Sequence, residues 1–356
     1  MPTPTLLQRL LTAPAPSGHE TGAARVWREA CAEFAEVTAD KVGSSWARVS
    51  ARAPGDGRAG PVLAIVGHID EIGLHVTHIN DEGFLHFGSL GGWDPMVLVG
   101  QRVSITTQGE PVLGVIGRKP IHLMKDEDRK QVPELKDLVI DIGAKDADEA
   151  RTRVRISDFA VVDVAPVPFP NERLVSRSLD NRVGSYVAAE AARLVAQEGG
   201  APGDVVALAV AQEEVSFAGA RTSAYALRPD LAIVVDVTFA TDQPGIELGQ
   251  ITKHPLGSGP VIARGATLHP RVAELLHTAA EEAKIEFTVE SLGRGTGTDA
   301  DAVHISREGI PTGLVSVPLR YMHSPVEMVS LSDVDAAARL IAAVAQRLEP
   351  GMSFER

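Results

Sequence analysis

Short, unbroken apolar runs recur along the chain at 62–66 (VLAIV), 205–211 (VVALAVA), 231–235 (LAIVV) and 313–317 (GLVSV). Their branched side chains, without polar alternation, predict strands covered on both faces, as in an open parallel sheet. Between these runs the spacing becomes helical. Residues 20–36 (ETGAARVWREACAEFAE) carry one such pattern, and 181–196 another, in which Val183, Val187, Ala191 and Val195 make one apolar stripe. Ser17 to Glu20 reads as the cap of the first of these helices, with Glu20 at the positive end of its dipole. A last helix is expected from Ser332, taken as its N-cap, through Val334, Leu340, Ile341, Val344 and Leu348 to a stop at Pro350-Gly351.

From about residue 73 to 168 the texture changes. Long helical periodicity is missing, and Gly83, Gly88, Gly91, Gly92, Gly100, Gly109, Gly114 and Gly117 separate short apolar runs. This predicts an all-β module of short strands and tight turns. Because α/β texture resumes afterwards, the expected organisation is one α/β domain over 1–72 and 169–356, interrupted by a β-rich domain over 73–168. Within the insertion, 122–137 (HLMKDEDRKQVPELKD) has no clear period and reads as a long exposed loop.

The chain has 356 residues, 44% apolar and 23% charged, enough to bury sizeable cores and too apolar for intrinsic disorder. No run approaches the roughly 18 apolar residues of a membrane span, and Gln8 and Arg9 interrupt the N-terminal leucines, so no membrane anchor or signal peptide is expected. A single cysteine, Cys31, lies on the helical pattern with Val26, Ala30 and Phe34 as a core residue; it rules out an internal disulfide or a thiolate-built zinc site and points to the cytoplasm. The charge of −13, without a basic run, argues against a nucleic-acid partner.

Chemistry is concentrated where the apolar runs end. The first leads into Gly67-His68-Ile69-Asp70, the second into Gln212-Glu213-Glu214, the third into Asp236 and the fourth toward His323, while Asp180 precedes the 181–196 helix. Ligands of open α/β sheets bind beyond the carboxyl ends of strands, so these groups are expected to meet at one edge. Singly, each has an ordinary structural explanation: a satisfied core histidine, a solvated acidic turn, a strand end or, for Asp180, a helix cap. Packed together, the carboxylates repel one another unless cations neutralise them, and a two-metal site supplies that neutralisation.

The segments PAPSGHE (14–20), GHIDEIG (67–73), SRSLDNRVG (176–184), QEEVSFAGA (212–220), DVT (236–238), GTDADA (297–302) and RYMHSP (320–325) resemble the M42 family of metallo-aminopeptidases, the glutamyl-aminopeptidase and TET relatives, over essentially the whole chain. The resemblance implies a zinc-peptidase-like three-layer α/β/α catalytic domain with an inserted small β-barrel-like dimerisation domain. It implies two divalent metal ions per subunit, zinc first, with cobalt or manganese also acceptable to imidazole and carboxylate. It assigns His68 and Asp236 to one ion, Glu214 and His323 to the other, Asp180 as the bridge, Glu213 as general base and Asp70 as the carboxylate that orients His68. The implied activity is removal of N-terminal residues from short peptides by a cytoplasmic homo-oligomer, a dimer or a tetrahedral dodecamer.

Three other readings compete. A dinuclear deacylase or carboxypeptidase of the M20 type shares the ligand logic but carries a different insertion. A glycosidase needs only two carboxylates, leaving His68 and His323 without work in a chain with 4% aromatic residues. A non-catalytic scaffold would have been favoured by loss of a ligand or of the base. Among weaker features, the loop Gly295 to Asp299 offers Gly297 as a substrate contact or a plain tight turn, and Arg320 is a substrate contact or an ion-pair partner. His122 opens the charged loop and is a candidate contributor to a neighbouring subunit's pocket, whereas His75 and His78 read as polar-face residues of the insertion.

Overall fold

The unbroken apolar runs become the centre of a mixed sheet in the computed structural model, which describes residues 1–52, 59–249 and 251–355. In chain order, β1 (Glu36–Ala39), β2 (Ser45–Val49) and β3 (Leu63–His68) precede six barrel strands. These are β4 (Gly73–Ile79), β5 (Leu85–Leu90), β6 (Arg102–Thr106), β7 (Val112–Arg118), β8 (Leu138–Asp141) and β9 (Phe159–Val162). Two strands of a small sheet come next, β10 (Val167–Phe169) and β11 (Arg173–Ser176). The large sheet then resumes with β12 (Val205–Val210), β13 (Leu231–Phe239), β14 (Val261–Gly265), β15 (Thr288–Leu292) and β16 (Thr312–Leu319), and β17 (Glu327–Ser330) joins the small one.

Among the described residues the large sheet has the order β1-β2-β12-β3-β13-β16-β14-β15. Its four central strands are parallel: β12 pairs with β3, β3 with β13, and β13 with β16. Their carboxyl ends therefore open on one edge. Side chains alternate between two cores. Leu63, Ile65, Val205, Ala207, Ile233 and Val235 face the helices Thr5–Thr12, Thr21–Cys31, Leu179–Gln197, Pro270–Ala283 and Leu331–Ala345. Ala64, Val66, Val206, Leu208 and Val234 face Ala218–Leu227 and Ala300–Val303, which completes a three-layer α/β/α arrangement. Val183, Val187, Ala191 and Val195 are all buried, as their stripe predicted, and Cys31 lies in the same core. Gly67 is required by that packing, because a Cβ there would collide with the backbone of Gly184; the contact brings the end of β3 against the start of the long helix.

Two helix boundaries differ from the sequence expectation. The pattern over 20–36 is helical only over Thr21–Cys31, because Glu36 already pairs with Arg48 across β1 and β2. The last helix starts at Leu331 after Ser330, two residues before the expected cap at Ser332, because β17 keeps Ser330 extended opposite Arg173.

Strands β4-β5-β8-β7-β6-β9 close into a barrel around Leu74, Val76, Leu85, Val103, Ile105, Ile116 and Ile140. The module is not all-β as its texture suggested: the helix Ala147–Arg153, capped by the Asp146 side chain on the Glu149 amide, adds Ala147 and Ala150 to the core, and the turn Pro95–Leu98 adds Leu98. Seven residues were too short for their period to show against the surrounding strands. The charged 122–137 stretch is largely exposed and holds only short 3-10 turns. No helix among the described residues is long and apolar enough to cross a membrane.

Candidate metal centre

Each strand end delivers its group by a distinct local device. His68 closes β3 and is 1% exposed. After β12, Gln212 takes a left-handed conformation (φ 60°) and turns the chain into the short helix Glu213–Ser216, so both glutamates face the opening of the sheet. Asp236 lies within β13, buried beside Val237. His323, also left-handed (φ 58°), comes after β16.

Asp180 is not the helix cap that it resembles in sequence. Asn181 does that work: its Oδ1 accepts from the Gly184 amide at 2.9 Å while its Nδ2 donates to the Val235 carbonyl at 2.8 Å. Asp180 keeps an extended ψ of 105° inside the first turn, and the peptide bond to Asn181 is cis. With Asn181 as the cap, the Asp180 carboxylate divides between two histidines, Oδ1 lying 3.2 Å from His68 Nε2 and Oδ2 3.4 Å from His323 Nε2. Glu214 Oε2 is 3.5 Å from His323 Nε2, and Glu213 Oε2 is 3.7 Å from His68 Nε2. Potential ligand atoms of His68, Asp180 and Glu214 lie within 4.8 Å of one another, as do those of His68, Glu213 and Asp236. All six side chains line one cavity of about 370 Å³.

Asp70 is fully buried and serves more than His68. Its Oδ1 lies 3.3 Å from His68 Nδ1 and accepts from the Glu213 amide at 3.1 Å, while Oδ2 accepts from the Glu214 amide at 3.2 Å and from the Ser17 hydroxyl. One carboxylate thus fixes the imidazole and the backbone of both glutamates. Ser17 reads in sequence as part of a helix cap; its hydroxyl is instead committed to Asp70, and the Glu20 carboxylate accepts from the Gln212 amide at 3.1 Å. The neighbouring Glu71 is buried between Arg177 and Arg182, which ties this turn to the start of the long helix.

Further groups come from positions that local pattern does not single out. Glu327 is buried; its two oxygens accept from the amides of Asp180 (3.1 Å) and His323 (2.9 Å), so one side chain sets both backbones. Its signal is an acid that opens the short, largely buried strand β17. Asp299, in the GTDADA segment, is 1% exposed and neither carboxylate oxygen has a hydrogen-bond partner among the described residues.

The electrostatics show how strongly these acids conflict. Burial raises the proton affinity of Glu213 to about 10; His68 opposes this, while Asp236, Asp299 and Glu214 add to it. Burial carries Asp299 up to about 7 and pushes Asp236 well above the carboxylate range. Burial alone would lower His323, but hydrogen bonds to Asp180 and Glu214 outweigh it and carry it up to about 11. Glu214 Oε1 is buried without a hydrogen-bond partner. Imidazole nitrogens and carboxylate oxygens in this arrangement fit divalent cations, which would satisfy the unpaired oxygen and remove the repulsion.

The weaker candidates separate. Gly297 (φ 71°) lines the cavity, but its amide and that of Thr296 are committed to Asp301 at 2.9 and 2.8 Å, so they hold the loop. Arg320 is not in the cavity lining; its guanidinium makes two bonds, of 3.2 and 2.5 Å, to Asp242. His122 is exposed on the charged loop.

This arrangement has counterparts in known proteins. Residues 48–340 match the family model described as M42 glutamyl aminopeptidase. The lysyl aminopeptidase of Pyrococcus furiosus is 33% identical over 349 residues, 97% of each chain. Among solved structures, a TET aminopeptidase from a marine sediment Thaumarchaeota archaeon superposes with a TM-score of 0.90 at 34% identity, covering 97% of this chain and 96% of its own. A Pyrococcus horikoshii TET peptidase, described as able to assemble into a tetrahedron or a large octahedral shell, superposes with a TM-score of 0.83 at 32% identity, covering 96% and 98%. A match of this extent, over both the barrel and the acid-rich strand ends, shows that the chain belongs to the M42 family of aminopeptidases.

Proposed function

We propose that this chain removes N-terminal residues from short peptides with two divalent cations, one of which His68, Asp236 and Asp180 would hold and the other Glu214, His323 and Asp180. The observation that carries this reading is the division of the Asp180 carboxylate, one oxygen toward each histidine, in a cavity that also receives Glu213. When bound, two such cations lower the pKa of a water and polarise the scissile carbonyl.

The chain's own residues do the rest. A carboxylate oxygen of Glu213 takes a proton from the attacking water as its oxygen bonds to the carbonyl carbon. The same oxygen returns that proton to the departing amine as the C–N bond breaks, releasing an amino acid and a shortened peptide. Asp70 holds His68 by its Nδ1 so that Nε2 faces Asp180, and it fixes the backbone of Glu213 and Glu214. The glycosidase reading uses neither histidine. The inserted barrel and the family match favour the M42 reading over the M20 type.

We assign 73–168 as the dimerisation domain and 1–72 with 169–356 as the catalytic one. The outward residues Leu113 and Val115 of β7 are 64% and 47% exposed, with Ile121, Leu123 and Val132 exposed nearby in sequence, an apolar set that subunit contact in a homo-oligomer would cover. A single buried cysteine agrees with a cytoplasmic setting.

Hydrolysis of aminoacyl-p-nitroanilides and their N-acetyl counterparts by metal-stripped protein, before and after addition of zinc, cobalt or manganese, tests the proposal. Metal-restored cleavage of the free amines alone is expected. Equal cleavage of acetylated substrates, or activity indifferent to chelation, would overturn it.

A further inference from the structure

Beyond the metal centre, the lining of the cavity includes Thr238, Phe239, Glu290, Leu292 and Met322. Strand β15, which carries Glu290, is the outer strand of the large sheet and pairs with β14. The Glu290 carboxylate accepts from the Thr238 hydroxyl at 3.2 Å. Thr238 lies two residues beyond Asp236 on β13, so the two share a face and are roughly 7 Å apart along the strand. Glu290 is therefore displaced from the metal-facing acids by about one long side chain. Among the described residues no lysine or arginine lines the cavity and none pairs with Glu290.

We propose that Glu290 selects substrates whose N-terminal residue is lysine or arginine, its carboxylate receiving the cationic end while Phe239, Leu292 and Met322 cover the apolar stem. This rests on the aminopeptidase reading and adds the substrate class to it. The family is described as glutamyl and the Pyrococcus furiosus relative is named lysyl, so the charge preference has to come from this chain's own pocket. Lysine and arginine carry methylene stems that lie along apolar surface with the charge at the far end. A neutral side chain of equal length gains the same apolar contact but leaves a half-buried carboxylate without a counter-charge. An acidic side chain would meet the Glu290 carboxylate itself, a like charge that the cations of the metal centre do not neutralise.

The test uses metal-loaded full-length protein and kcat/KM for lysyl-, arginyl-, norleucyl- and glutamyl-p-nitroanilides. Norleucine matches the lysine stem without its charge. The expected order is lysyl and arginyl about 10- to 100-fold above norleucyl, the range of a hydrogen bond to a charged group, with glutamyl lowest and the lysyl advantage shrinking as salt is raised. Glu290→Gln is expected to lower the lysyl-to-norleucyl ratio at least tenfold, and Glu290→Lys to place glutamyl above lysyl. Norleucyl equal to or better than lysyl in the unsubstituted protein overturns the inference while leaving the aminopeptidase reading intact, as does a ratio unmoved by Glu290→Gln. No cleavage of any free-amine substrate with any of the three metals overturns the aminopeptidase reading and this inference with it.

Discussion

The large sheet and the barrel are both built of short strands around apolar cores, yet only the sheet concentrates chemistry. In the sheet, β3, β12, β13 and β16 are parallel, so the residues after each apolar run arrive at the same edge. In the barrel every paired strand is antiparallel, and the residues after successive strands are sent to opposite ends. The barrel has its own histidines, and the rings of His78 and His86 are 5.7 Å apart, but no acid joins them in a ligand-like cluster among the described residues. Residue type is thus a weak guide to chemistry until strand direction is known.

The sharpest way to break that contrast is a matched pair of substitutions. Glu213→Gln is expected to cut kcat by about 10²–10⁴-fold with metal content retained, while His78→Ala leaves kcat unchanged; steady-state assays and metal analysis check both. A barrel histidine that mattered equally would defeat the distinction. Next in size, Leu85→Ala, which removes a fully buried side chain from the barrel core, should cost about 2–5 kcal/mol in denaturant unfolding, with kcat per folded molecule preserved if the barrel supports assembly and not catalysis.

Asp70→Asn probes the sheet side at its hub. Because Asp70 orients His68 and anchors two amides, metal affinity should fall about 10–100-fold in a competition titration with a chelator. The smallest effect concerns pH. Burial, then the nearby Asp70 charge, raise Glu20 from 4.5 to about 7, so the folded protein holds that proton more tightly than the unfolded chain does. Its stabilising contribution is complete below pH 4.5 and is lost as pH rises through 7. Glu20→Gln should therefore flatten the fall of Tm between about pH 5 and 7.5, and an unchanged slope would show that Glu20 does not titrate there.

The match between sequence and structure depends on the range of the information. Unbroken apolar runs located the parallel strands, because burial on both faces leaves no polar alternation, and the four-residue spacing located the stripe on Leu179–Gln197. Boundaries at Glu36 and Ser330 were missed because strand pairing with distant segments, Arg48 and Arg173, overrides local helical preference there. The helix Ala147–Arg153 and the turn Pro95–Leu98 of the barrel module are too short to leave a readable period. Within the site, the acids and histidines were legible from their places at the ends of the apolar runs, whereas the work of Ser17, Asn181, Glu327 and Glu290 was not.

By itself, then, the chain determined which residue types stand at the end of each apolar run, the interruption of one α/β pattern by a glycine-rich β module, and, through its single cysteine, that no internal disulfide forms. Those are properties of neighbours in sequence, set by side-chain periodicity and composition. Tertiary structure alone decided that Asn181 caps the helix and releases Asp180, that Glu327 sets the backbones of Asp180 and His323, and that Glu290 lines the cavity bonded to Thr238. Each depends on strand order and on side chains meeting across long stretches of chain, or on a turn whose competing caps differ only in what lies opposite them; the energy that selects among them comes from contacts no local window contains.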